Sequence, residues 1–303
     1  VEGAQDPVVG DPVAGEVRRL LGELAPLGRD CTTGGYRRFA WTAEDAACRA
    51  WFAAQAEARG LVARPDHDGN LWAWWPGPPA PGGRAVATGS HLDSVPDGGA
   101  LDGPLGVVSA LLAIDLLREE RFRPSAALGV VVWSDEEGAR FGLACVGSRL
   151  WAGALSPDRA RALVDRDGVT LAAAMAGAGV DPSRLGRGEV ELEAYVELHV
   201  EQGRALADLD APVSLATAIW PHGRWRVDLA GEANHAGTTR VDDRRDPMLP
   251  LAAAVEAARR ATAGGGLATV GRVEVVPNAT NAVPSLVRAW LDARAPDEAA
   301  LEG

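Results

Sequence analysis

Apolar residues recur every three or four positions in GEVRRLLGELAPL, residues 15–27, and this spacing predicts an amphipathic helix. TAEDAACRAWFAAQAEARG predicts a second helix, with Thr42 as its N-cap before an acidic first turn and Gly60 as its stop. The pattern then changes to alternation. LVARPDHDGNLWAWWPG alternates on either side of Asp68-Gly69-Asn70, which is a hairpin signature. AVATGSH reads as a short buried strand and GVVSALLAIDLLREE as a helix. AALGVVVWSDEE is continuously apolar before its acidic end, as expected of a strand with both faces covered. A mainly helical stretch to about residue 188 precedes one more strand, EAYVELHVEQG.

Strands alternating with helices predict an α/β fold built on a doubly wound, mostly parallel sheet. The texture changes at residue 212. GRWRVDLAGEANHAGTT is a strand running into a loop, and DPMLPLAAAVEAARRATAGGG is a helix with Asp246 as cap and Pro247 at its first position. ATVGRVEVVPN and LVRAWLDARAP are alternating strands, and DEAALEG begins another helix. This β-α-β-β-α order predicts a second, smaller α+β domain that stops before its last helix and strand. The expected division is residues 1–211 and 212–303, with no repeat and no low-complexity linker between them.

Composition narrows the function classes. The 303 residues are 47% hydrophobic, which allows a substantial core and argues against wholesale disorder. The formal net charge is −12, with arginine as the basic residue throughout, so neither nucleic acid nor an anionic membrane is the expected partner. Cys31, Cys48 and Cys145 are scattered and form no C-x-x-C pair, which points to a reducing, cytoplasmic setting. No secretion-type leader and no apolar run of bilayer length is evident, so the Asn278-Ala279-Thr280 triplet is read as an ordinary loop.

The ends of the predicted strands carry the chemistry. In open α/β sheets ligands gather beyond the carboxyl ends of the strands. His91 of SHLDS offers a nitrogen to a metal, and Asp93 is placed to accept the other ring N–H. Asp102 lies in a glycine-rich bend where it could bridge two cations. In WSDEEGARF, two adjacent glutamates point in different directions, so one can bind a metal while the other moves a proton. His199, within the apolar strand AYVELHVEQG, is a second imidazole ligand. This donor set suits zinc, manganese, cobalt or nickel better than calcium or magnesium. Taken singly, an H-x-D is commonly a hydrogen-bonded turn, an Asp-Glu-Glu a solvated strand end, and a strand histidine a core residue. Their joint placement after three separate strands sets this chain apart.

At these residues the chain resembles the binuclear-metal amidohydrolases of the aminoacylase and carboxypeptidase clan, in the branch of N-carbamoyl-L-amino-acid hydrolases, β-ureidopropionases and allantoate amidohydrolases. GSHLDSVPDGGALDGPLGV, DEEGARFGLACVGSR, AYVELHVEQGRAL, GEANHAGTTRVDDRRDPM and NAVPSLVRAWLDAR carry the resemblance in order along nearly the whole chain. It implies a zinc-exopeptidase-like catalytic domain with an inserted ferredoxin-like lid and dimerisation domain. It further implies two divalent transition-metal ions per subunit. His91 and His199 would bind one, Asp102 would bridge, and Glu137 would bind the second, with Glu136 as general base and Asp93 orienting His91. His235 would reach the partner subunit's site in a homodimer, and Gln202, Asn281 and Arg294 would hold a small ureido or carboxylate substrate. The family has a further metal-binding histidine in a C-terminal segment beyond residue 303, so the chain is expected to be C-terminally incomplete. His67 and His222 gain no role from the resemblance, and Cys145 is expected to be packing. The expected reaction is hydrolysis of a linear amide or ureido C–N bond of allantoate or an N-carbamoyl-L-amino acid. Two alternatives stay open: peptide or N-acyl amino-acid hydrolysis by the same machinery, and a binding or dimerisation module without catalysis.

Overall fold

The computed structural model describes residues 11–302 except 78, 80–82, 187 and 189. The chain forms two compact units, Val1–Asp208 and Leu209–Gly303.

In the first unit, helix α1 (Pro12–Leu24) starts where the Asp11 side chain accepts from the Val13 amide at 2.9 Å, with proline in the first turn. Helix α2 (Ala43–Ala58) is capped by the Thr42 hydroxyl, which accepts from Asp45 N. Strands β1 (Val62–Pro65) and β2 (Leu71–Trp75) form the predicted hairpin. Its turn is five residues long, because the Asp66 carboxylate folds it by accepting from the backbone amides of Asp68 and Asn70. Strand β3 (Arg84–His91), helix α3 (Pro104–Glu119) and strand β4 (Ala127–Trp133) make a parallel crossover unit. Three short helices follow, α4 (Val146–Trp151), α5 (Pro157–Arg161) and α6 (Leu171–Gly177), then strand β5 (Glu191–Val196) and helix α7 (Ala205–Asp208).

The strand order is β1-β2-β4-β3-β5. β3 pairs in parallel with β4 and with β5, whereas β2 is antiparallel to both β1 and β4. The sheet is therefore mixed: β1, β4, β3 and β5 run one way, mostly parallel as expected, and β2 runs against them. A short turn forces β1 and β2 into antiparallel pairing, and the hairpin then adds to β4 from the side away from β3. The apolar run of β4 is explained by period two. Val130 and Val132 pack with Phe52, Val107 and Leu111 on one face, while Val131 and Trp133 pack with Trp72 and Trp74 on the other. Each fully buried side chain of this size contributes roughly 1.5–3 kcal/mol.

The second unit contains β6 (His222–Ala230), β7 (Asn234–His235), helix α8 (Met248–Ala261), β8 (Leu267–Val276), β9 (Ala282–Val283), β10 (Leu286–Arg294) and α9 (Glu298–Glu302). β6, β10 and β8 form an antiparallel sheet in that order, and β7 pairs with β9. Leu251 of α8 packs on Val287 and Ala289 of the central strand. Asp246 accepts from Met248 N at 2.9 Å, so Pro247 sits in the cap position, one residue before its expected place.

Candidate metal centre

His91 is the last residue of β3, 2% exposed, and the chain bends after it. Gly103 makes the bend possible: its φ is +85°, and a Cβ there would lie 2.5 Å from the His91 carbonyl oxygen and 2.7 Å from the imidazole. This close return brings Asp102 to the ring, with His91 Nε2 at 3.9 Å from Asp102 Oδ1. His199 Nε2 lies 3.5 Å from the same oxygen, and the two imidazoles lie 5.9 Å apart, centroid to centroid. His199 is three residues beyond the end of β5, in irregular chain, and not within the strand as expected. Its placement outside the ladder frees the ring, whose Nδ1 is 3.0 Å from the Val200 carbonyl oxygen, leaving Nε2 toward Asp102.

The two glutamates follow β4 in a loop that opens at Ser134 and closes at Gly147. Glu136 Oε2 is 3.7 Å from His91 Nε2. Ligand atoms of His91, Asp102 and His199 lie within 4.8 Å of one another, and so do those of His91, Glu136 and Glu137. The structure thus gathers five residues predicted from three separate strand ends.

Asp93 differs from its expected role. The ring nitrogen His91 Nδ1 is 3.0 Å from the Asp93 backbone oxygen and 3.6 Å from its carboxylate. The carboxylate accepts instead from the amides of Glu136 at 3.2 Å and Glu137 at 3.0 Å. It therefore fixes the glutamate loop, and its main chain orients the imidazole.

The centre is electrostatically tense. Burial pushes the Asp93 carboxyl up to about 6, against the pull of His91. Burial likewise pushes Glu137 up to about 7, and the neighbouring charges of Asp102, Glu136 and Asp93 add to the rise against the opposing pull of His91. For His91 burial acts downward, but the charges of Asp93, Glu136 and Glu137 outweigh it and hold the imidazole above its ordinary value. Asp135, 1% exposed, has both carboxylate oxygens buried without a hydrogen-bond partner, and burial raises its pKa well above the usual range. Two imidazoles and three carboxylates around a glycine-lined bend fit divalent transition metals in donor type and in charge.

The remaining predicted residues are placed as follows. Gln202 Nε2 donates to Asp102 Oδ2, which ties it to the proposed bridging carboxylate. In the second unit, His235 pairs with Ala282 across the β7–β9 ladder, and Ala236 N donates to Asn281 O at 2.9 Å, so His235 and Asn281 lie together. Arg294 ends β10, whose other end lies beside β9. Eight residue steps along the strand lead from Leu286 to Arg294, roughly 26 Å at an extended rise. Asn281 and Arg294 of one chain therefore do not meet on one carboxylate group.

Three residues without a predicted site role touch the site or its supports. The Cys145 thiol, expected to be packing, donates to Glu136 Oε1 at 3.4 Å. Glu197 accepts from Ser90 Oγ and from the Tyr195 hydroxyl, which in turn accepts from Trp133 Nε1 at 2.9 Å, so the ends of β3, β5 and β4 are tied below the ligands. Asn70 binds the neck of the glutamate loop. An adjacent-strand signal could have flagged Glu197; no spacing rule points to the other two.

The family model described as peptidase family M20/M25/M40 matches residues 87–283. An N-carbamoyl-L-amino acid amidohydrolase of Geobacillus stearothermophilus is 39% identical over 284 residues, covering 91% of this chain and 68% of that protein. An allantoate amidohydrolase of Escherichia coli K12 is 35% identical over 291 residues, covering 94% of this chain and 70% of that protein. The crystal structure of AtUAH in complex with glyoxylate superposes with a TM-score of 0.85 at 31% identity, covering 95% of this chain and 70% of that one.

Proposed function

The chain belongs to peptidase family M20/M25/M40, and from that premise we propose that it hydrolyses carbon–nitrogen bonds in linear amides other than peptides, with a ureido group beside a carboxylate as substrate. N-carbamoyl-L-amino acids and allantoate are the two candidates, after the relatives at 39% and 35% identity. The observation that carries the reading is the pair of donor triplets that share His91, one with Asp102 and His199 and the other with Glu136 and Glu137, each within ligand distance.

In this reading His91, Asp102 and His199 would hold one divalent transition metal, and Asp102 with Glu137 would hold a second. Bound there, the metals would supply Lewis acidity toward the scissile carbonyl and lower the pKa of water. Glu136 takes the proton of the attacking water and delivers it to the departing nitrogen. It is suited to this by its amide anchor on Asp93 and by the Cys145 thiol on Oε1, which leave Oε2 facing His91. Arg294 binds the substrate carboxylate through paired hydrogen bonds. His235 and Asn281 would serve the site of a second subunit, and the strand length separating them from Arg294 supports this division. The second unit would act as lid and dimerisation domain, the first as catalytic domain.

The test is release of ammonia or carbamate from allantoate and from N-carbamoyl-L-amino acids after incubation with zinc or manganese, beside a panel of dipeptides and N-acyl amino acids. Turnover of a ureido substrate above the others supports the reading. Cleavage of dipeptides alone would place the chain with the peptidases of its family.

A further inference from the structure

The loop from Ser134 to Gly147 holds both glutamates of the centre, and two side chains from elsewhere in the sequence fix it. Asp93 binds its inner limb. Asn70, on the turn between β1 and β2, binds its neck. Asn70 is fully buried; its Oδ1 accepts from Ser134 N at 3.1 Å, and its Nδ2 donates to Gly147 O at 3.2 Å and to Asp66 Oδ2 at 2.9 Å. One amide group thus spans the two limbs, where Gly147 N also donates to Ser134 O at 2.9 Å.

Two features make this a dedicated fit. The amide has one workable orientation: turned over, its oxygen would face the Gly147 carbonyl and the Asp66 carboxylate, acceptor against acceptor. Residue 147 also has no room for a side chain, since a Cβ there would lie 2.1 Å from Asn70 Oδ1. Asp66 braces the amide from behind while accepting from Asn70 N and Trp72 Nε1, both at 2.9 Å.

We infer that Asn70 is a positioning residue for the Glu136–Glu137 pair, acting through the neck of their loop and touching neither metal nor substrate. Its catalytic consequence rests on the function proposed above; its mechanical consequence does not. The neck sets where the limbs begin, and small displacements of catalytic carboxylates cost rate steeply. Supports behind metal ligands are worth about 10–100-fold in affinity or activity.

The experiment compares the wild type with Asn70→Ala, Asn70→Asp and Gly147→Ala, well below each melting temperature. Asn70→Asp keeps an acceptor for Ser134 N but sets a carboxylate against Gly147 O and Asp66; Gly147→Ala disturbs the same contact without changing Asn70. Amide exchange by mass spectrometry over residues 136–145 should speed up about tenfold or more, while exchange in β4 stays as in the wild type. Zinc affinity and kcat should fall about 10–100-fold with KM unchanged. Variants that melt lower yet keep wild-type exchange at 136–145 and wild-type zinc affinity would reduce Asn70 to packing and overturn the inference. The wild type alone gives a second arm: the Ser134 amide must exchange more slowly than the loop tip at 139–142, and equal rates also overturn it. If the exchange results hold while no ureido substrate is turned over, the function reading fails and the clamp stands.

Discussion

Replacing Asp68 with asparagine should stabilise the protein at neutral and alkaline pH and do little at pH 4. Asp68 is 3% exposed on the turn that carries Asn70, and it accepts from Gly186 N at 2.8 Å. Burial pushes its carboxyl from 3.8 up to about 7; the Gly186 hydrogen bond opposes the rise, and the charge of Asp66 reinforces it. The folded state therefore holds a proton that the unfolded chain releases near pH 4. Between the two values the native state binds more protons, so stability falls as pH rises, by about 1.4 kcal/mol per unit. Over the interval the loss amounts to on the order of 4 kcal/mol, complete above the folded value. Asparagine keeps an oxygen for the Gly186 amide and never ionises, so it escapes the loss. Urea denaturation of wild type and Asp68→Asn at pH 4.5, 6, 7 and 8 isolates the effect, because every other titrating group is common to both proteins. The gap should open steadily from pH 4.5 to 7 and then level off. A gap independent of pH, or one that narrows as pH rises, would refute the argument that burial governs this carboxyl.

Glu136→Gln should lower kcat by about 10²–10⁴-fold while metal content by mass spectrometry stays as in the wild type; loss of metal instead would make Glu136 a ligand. Zinc or manganese at about one hundred times its dissociation constant should add about 2.7 kcal/mol of stability, read as a melting-temperature rise that EDTA reverses. No rise would count against a metal centre. Arg38→Met should destabilise by about 2–4 kcal/mol without changing kcat. Arg38 is 2% exposed, and it donates to Leu27 O at 2.8 Å and Leu24 O at 2.7 Å at the end of α1, so its loss leaves buried carbonyls without donors. A stability within 0.5 kcal/mol of wild type, by urea denaturation, would contradict it.

The legible part of this chain is the part that local rules govern. Thr42 and the hairpin of residues 62–75 announce themselves through capping and alternation, and the structure has them; the helix expected to be capped by Asp246 starts one residue later, with Pro247 in the cap position. His91, Glu136 and Glu137 were found because charge at the end of an apolar strand breaks its pattern. His199 was found for its residue type, but its setting was misread: apolar composition carries on from β5 into Leu198 and Val200, while the ladder stops at Val196. The one reversed strand, β2, follows from the hairpin, but its place beside β4 depends on where that hairpin docks, which no periodicity records. Asn70 was visible only as a turn residue. Its amide reaches backbone groups 64 and 77 residues away, and bonds to main chain leave no trace in the partner's side chain, except at Gly147, where the missing side chain is itself the trace.

The charge arrangement gives an independent reason to expect cations at this centre. Asp93, Asp102, Asp135, Glu136 and Glu137 crowd one end of the sheet, yet among the described residues no arginine forms an ion pair with any of them. Arg140 pulls on Asp135 electrostatically, but its hydrogen bonds go to Asp165 at 3.0 Å and to the carbonyls of Ala40 and Trp41. Burial raises Asp93 and Glu137, the neighbouring carboxylate charges add to the rise, and the pull of His91 opposes it without cancelling it. Carboxylates crowded together without a compensating cation are costly, and Asp135, whose two oxygens have no hydrogen-bond partner, bears that cost most plainly. A site that keeps its carboxylates short of protein cations holds that cost in reserve, to be released when divalent cations bind. The same imbalance that weakens the fold would then strengthen its grip on metal.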